Sequence, residues 1–415
     1  MLARFPIGFP LAPPRSRGAA PRSRRAAAGR LVGCVLLPAL AWAGTASAGV
    51  LAVPRDHATI GAALAAARPG DVVLVSCGDY LEHDLEVGPG VRLWSGTLQP
   101  DCATIDARGA GRVLDLARAD SLTAVVGFTL RGGSVDDAGG AVRILSGRPK
   151  LASCVIRESV ARDGGGLHVG PDAAPRVEGC VFEGNLAERR GGAVSWLGAG
   201  GGLLQGGRAE HNAALSGGAV AIAEGAEVTV RNVVFATNTA ANSGGAVAVD
   251  RGRARFESCI FDRNSGGLGG GALASIGGAP VVVGCTFYRN RAEHAGGALL
   301  LLAEASATLE RCILSDHPLA PIAAPGTHPP VLAGCNLHGN ADGDWSSLLE
   351  TQQPVRGNFS RAPLFCAPEQ GDFRLAANSP CLPGRSPGID GLVGARGRGC
   401  DRSPLAASSP MAGLR

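Results

Sequence analysis

Apolar residues in the middle of this chain come in short bursts two positions apart. Val220 and Ile222 are one such pair, and Cys180 and Phe182 are another. Residues two apart share one face of a strand, so each burst predicts a short strand with a single inward face. Glycine punctuates the bursts. A Gly-Gly-small-apolar motif recurs as Gly139-Gly140-Ala141-Val142, Gly165-Gly166-Leu167, Gly191-Gly192-Ala193-Val194 and Gly217-Gly218-Ala219-Val220. It continues as Gly244-Gly245-Ala246-Val247, Gly270-Gly271-Ala272-Leu273 and Gly296-Gly297-Ala298-Leu299, at spacings of 26, 26, 26, 27, 26 and 26 residues. A second motif, Cys-x-Phe-x-x-Asn, runs in phase with it. Its full copies are Cys180 to Asn185, Cys259 to Asn264 and Cys285 to Asn290, and weaker copies surround Phe235, Cys154, Cys312 and Cys335.

A period near 26 residues lacks helical spacing and suits three short strands and three turns per coil. Coils stacked at roughly 4.8 Å place equivalent residues directly above one another. Like side chains then form columns, with asparagines hydrogen-bonded in a ladder at one turn. The predicted fold is all-β, a right-handed parallel β-helix of about ten coils over residues 49–362, with the repeats in 126–340. Residues 56–68 carry Ile60, Leu64 and Ala67 on one helical face. They predict a helix, N-capped by Asp56, that covers the open end. Beyond Pro318 the pattern decays. Residues 363–402, rich in Cys, Pro and Gly, read as a loop-rich C-terminal cap, and 403–415 as a disordered tail.

Composition agrees with a thin stacked core: 63 glycines in 415 residues and only 4% aromatics. Residues 1–48 hold seven arginines and no acid. An apolar run, Leu31 to Trp42, and Ala46-Ser47-Ala48 follow, the layout of a cleaved export signal. Removing seven arginines from a net charge of +4 leaves −3, so the basic balance gives no support for a nucleic-acid partner. No later apolar run is long enough to cross a membrane. The expected location is the extracellular space or the cell surface.

The alternating Gly-Gly-Ala-Val and Phe-x-x-Asn motifs resemble the repeats of the chlamydial polymorphic outer membrane proteins. The stretch Ala58-Thr59-Ile60 to Val75, followed by Gly78-Asp79-Tyr80-Leu81-Glu82, resembles the opening of bacterial pectin-lyase-like β-helix proteins. Pro363-Leu364-Phe365-Cys366, Asp372 to Leu375 and Ser379-Pro380-Cys381 are similar to the ends of secreted bacterial β-helix proteins. The resemblance spans about residues 53–400. It implies the fold, and it implies polysaccharides as the substrates of the catalytic members. This sequence departs from the chlamydial proteins in showing no C-terminal membrane-barrel pattern.

A pectate-lyase-like site needs carboxylates that bind calcium and an Arg or Lys base. Lys150 is the one lysine, in an apparent turn, and the family signatures are missing. Gly78-x-Tyr80-x-Glu82 matches an element of pectin methylesterases, but their catalytic Asp motifs do not follow. Stacking the turns before each Gly pair puts Asp136, Asp137, Asp163 and Glu188 on neighbouring coils, a candidate carbohydrate or calcium contact. A solvated edge with Asp–Arg pairs involving Arg162 and Arg189 is the plainer reading. Cys154 and Cys180, and Cys259, Cys285 and Cys312, share one inward column as small hydrophobes. Cys77 and Cys102 are candidate disulfide partners, and Cys366, Cys381 and Cys400 are candidates to staple the tail. Tyr288 is the main outward aromatic candidate for sugar stacking. The expectation is a non-catalytic, adhesin-like or glycan-contacting protein that uses no cofactor. A lyase or hydrolase acting on acidic glycans, with calcium, is the alternative.

Overall fold

The computed structural model describes residues 48–401 apart from 327, 328, 346 and 354. The expected export signal, but for Ala48, and the expected tail 403–415 lie outside the described residues.

Among the described residues the chain winds as a parallel β-solenoid. A first sheet of twelve strands runs from Val50–Val53 to Val331–Ala333. A second sheet of eleven runs from Gly78–Tyr80 to Asn336–His338, and a third of ten from Leu85–Glu86 to Ile322–Ala323. Six short strands, Val160–Asp163 to Arg291–Ala292, form a turn sheet between the second and the third. The twelve strands of the first sheet count more coils than the ten expected. The added coils lie near the start, where Val50, Val72, Arg92 and Ala124 stack in register at uneven spacing without the Gly pair.

Inside, each column holds like residues. Phe182, Ala209, Phe235, Phe261, Phe287 and Leu314 are consecutive partners in the second sheet. Coil spacing stacks the rings face on face, with Phe235–Phe261 centroids 5.0 Å apart and Phe261–Phe287 4.5 Å apart. The cysteine column runs in two groups, parted by Gly207 and Val233. Cys154, Cys180, Cys259, Cys285, Cys312 and Cys335 are buried free thiols, each Sγ donating to the carbonyl two residues earlier. Burial, reinforced by the adjoining thiols, holds Cys285 and Cys335 well above the ordinary cysteine range.

The Gly pair is explained by backbone clearance. Gly217 has φ +63°, and a Cβ there would meet the Val220 carbonyl oxygen at 2.2 Å. A Cβ on Gly218 would meet the Gly245 oxygen of the next coil at 2.2 Å.

The asparagines form a continuous buried ladder. Both the backbone N–H and Nδ2 of Asn212 donate to Asn238 Oδ1, at 3.1 and 3.0 Å, and Nδ2 also donates to Phe182 O at 3.0 Å. The pattern repeats at Asn185, Asn238 and Asn264, and Asn290 Nδ2 donates to Phe261 O. His317 then replaces asparagine: its Nδ1 accepts from Asn290 N at 3.1 Å, while its buried Nε2 has no partner. Asn340 and Asp344 close the column.

Both ends differ from expectation. The helix spans Ile60–Ala66 and is capped by Thr59, not Asp56. Asp56 instead accepts from Ala52 N, shielding the edge strand. Glu82 supplies the rest of the cap, its two oxygens accepting from Ile60 N and Gly61 N at 2.8 Å each. At the far end the stack is closed by Trp345 and Leu349, which join the solenoid core, and by Gln352, which bonds to Pro330 and Leu332. Residues beyond 359 do not close that end. They form a three-stranded sheet (Phe365–Ala367, Asp372–Ala376, Arg398–Cys400) within a lateral layer on the outer face of the second sheet. There Phe359, Phe365, Phe373, Leu375 and Val393 pack on Ile260, Tyr288 and Ile313. Tyr288 therefore points outward, as expected, but is covered, at 2% exposure.

Three outcomes follow. Asn264→Ala strips acceptors from Asn238 and a donor from Phe235 O, and should lower stability in urea denaturation by roughly 3–5 kcal/mol. Cys154, Cys180, Cys259, Cys285, Cys312 and Cys335 should resist a thiol reagent in the folded protein and react together on unfolding, as read by mass spectrometry. Burial lowers His317 from 6.5 to about 3, so the unfolded chain binds the extra proton between those values. Its contribution is therefore intact above pH 6.5 and is lost progressively as pH falls toward 3. His317→Asn should flatten that slope in urea midpoints measured across the window.

Candidate functional site

The turns before each Gly pair do not stack as their sequence offsets imply. In the second repeat copy the in-register glycine is Gly164, with φ +63°, lying between Gly139 and Gly191. Gly166 then takes the place held by Ala141 and Ala193. The triplet Gly164-Gly165-Gly166 hides this one-residue shift, and a one-residue shift in a strand moves a side chain to the opposite face. Asp163 consequently pairs in register with Ala138 and Arg190, and not with Asp137.

The four acids are thereby separated. Asp136 and Glu188 are exposed, and neither side chain has a hydrogen bond or ion pair among the described residues. Asp137 is clamped by Arg112 at 2.6 Å and Arg143 at 2.8 Å. Asp163 is 4% exposed. One of its oxygens faces Arg162 and Arg189 at 3.8 and 3.7 Å, beyond hydrogen-bonding reach, and the other is buried with no partner. Burial raises its pKa against the pull of Arg189, Arg190 and Arg162.

Asp137 and Asp163 flank a feature that offset-counting missed. On the third sheet the polar residue between two inward apolar ones points out: Arg143 between Val142 and Ile144, His168 between Leu167 and Val169, Ser195 between Val194 and Trp196. In register these form an outward column, Glu86–Asp115–Arg143–His168–Ser195, which continues as Ala221, Ala248 and Ala274. The signal was present four residues after the first in-register glycine of each turn.

Electrostatically the column is self-contained. Arg143 bridges Asp115 and Asp137. Arg112, 6% exposed, binds Asp137 and the carbonyls of Ala138 and Gly139. His168 Nδ1 lies 2.9 Å from Ser195 Oγ, and burial lowers the ring to about 4, so it is neutral at pH 7. Ser195 is fully buried beneath the adjoining turn and offers no accessible nucleophile. Arg190 extends toward Glu224 at 3.2 Å and Asp250 at 3.9 Å. Among the described residues no group of three or more His, Cys, Asp or Glu is placed to hold a metal ion. Each interior carboxylate already has a guanidinium beside it, an unsuitable donor set for calcium.

The other candidates lie elsewhere. Lys150 is on the outer face of the first sheet, 2.7 Å from Glu178. The Gly78–Glu82 element is architectural, with Glu82 capping the helix and Tyr80 Oη donating to Ser76 O. Cys77–Cys102 and Cys366–Cys400 are disulfides. Cys381 is instead a free thiol, buried in the lateral layer beside Asn336 Nδ2 at 3.3 Å. Three tail cysteines leave one over, and the pairing of Cys366 with Cys400 joins the edge strands of the lateral sheet.

Among solved structures the fold is similar to the crystal structure of pectate lyase Pel9A, with a TM-score of 0.41 and 14% identity, over 86% of this chain and 98% of that one. No curated protein matches the chain. Residues 122–340, more than half of the chain, match the family described as the right handed beta helix region. The repeat, the parallel coils and this match agree: the chain belongs to the right-handed β-helix family.

Proposed function

We propose that this protein is an exported β-helix protein of the extracellular space or cell envelope, and that the outer face of its third sheet contacts glycan without cleaving it. The observation that carries the reading is the outward column Glu86–Asp115–Arg143, which sets one solvent-reaching polar side chain on each of three consecutive coils before the column turns buried at His168 and Ser195. Repeated units at coil spacing suit an extended polymer of repeating sugars. Arg162 and Arg189, both half exposed, stand beside this column over the buried Asp163 carboxylate. They offer donors to ligand oxygens. Two disulfides fit an oxidising compartment, and no helix among the described residues is long and apolar enough to cross a membrane.

The partners of the charged groups disfavour cleavage. The carboxylates beside the column are neutralised by arginines, and the one lysine stands on a different sheet. Affinity electrophoresis through immobilised acidic and neutral polysaccharides should show retardation. Arg162→Gln combined with Arg189→Gln should weaken it by about tenfold, near 1.4 kcal/mol. Incubation with the same glycans, with and without calcium, should yield no unsaturated product. Formation of such product would replace this reading with a lyase, and migration unchanged in every glycan would remove glycan contact from this face.

A further inference from the structure

Beside the lateral layer lies a buried carboxylate that the glycan face does not use. Asp262 lies on the outer face of the second sheet, 6% exposed. Its Oδ2 is 3.1 Å from Arg263, and its Oδ1 is buried without a partner. The next residue of its column is Tyr288, whose ring packs edge-on against Phe365 and Phe373 of the layer. Glu369, also from the layer, is held by Arg263 at 2.6 Å and by Arg289. The charged groups around Asp262 are thus Arg263, Arg289 and, more distantly, Arg208 from the coils, and Glu369 from the layer.

We propose that residues 359–400 form a pH-sensitive cover, closed over the second sheet while Asp262 is protonated and loosened when that carboxyl ionises. An ionised Asp262 would hold a charge out of water with one oxygen unsatisfied, and would repel Glu369, the group that fastens the layer. Burial of this kind pushes the carboxyl up to about 6, the nearby Glu369 adding to the effect. A carboxyl raised on closure makes closure bind a proton, so closure is strongest in acid and weakens as pH rises through 6. Loosening would uncover Ile260, Tyr288 and Ile313 as one apolar strip.

The test is hydrogen–deuterium exchange on the full chain, corrected for the intrinsic rate at each pH. Peptides covering Asp372–Ala376 and Arg398–Cys400 are compared with first-sheet strands of the early coils. Relative protection should fall about tenfold from pH 5 to pH 8, within the hundredfold ceiling of a shift near two units. Asp262→Asn should abolish that fall, and Glu369→Gln should open the cover at both pH values while preserving it. A protection ratio that does not change with pH overturns the proposal, as does a fall that survives in Asp262→Asn or disappears in Glu369→Gln. Should Asp262→Asn not fold, carboxyl carbon-13 titration of the natural chain decides: a midpoint near 6 supports the cover, and one in the ordinary aspartate range overturns it.

Discussion

Backbone hydrogen bonds between successive coils are the constraint on which this structure depends. Parallel pairing at roughly 4.8 Å leaves each residue directly over its equivalent one coil earlier. Inward positions must therefore accept a neighbour of their own kind. Phenylalanines stack on phenylalanines and thiols on thiols, and each asparagine takes its backbone and side-chain bonds from the next. Where a turn brings one backbone against another, the glycines leave no Cβ to obstruct it.

The same constraint shapes the exterior. An outward residue on a parallel sheet is also stacked, so charges of opposite sign on neighbouring coils neutralise one another. Arg231 with Glu257 and Lys150 with Glu178 do this on the first sheet, and Arg143 with Asp115 on the third. Exposed pairs of this type contribute little to stability individually. They set the chemical character of each face instead, as where Asp115, Arg143, His168 and Ser195 share one register on the third sheet.

The ends show how a solenoid is terminated. Each terminal coil leaves backbone groups and core side chains without a further coil, and residues from outside the repeat satisfy them. Glu82 and Thr59 cap the helix at one end, while Asp344, Gln352 and Trp345 finish the columns at the other. This leaves the disulfide-bonded C-terminal segment free for a lateral position, where it encloses Tyr288.

Periodicity alone determined the repeat, the short strands, the asparagine ladder and the buried thiol column, because each depends on spacing within one coil and that spacing is written locally. The register of Asp163 was not legible, since three consecutive glycines at 164–166 fit two alignments and only the hydrogen bonds of Gly164 to its neighbouring coils choose between them. Nor was the lateral fold-back of residues 359–400, which rests on packing against coils about a hundred residues earlier, as in the contact of Arg263 with Glu369. Strands and columns follow from local alternation. Which column faces which, and what covers it, is decided by contacts between segments that share no sequence period.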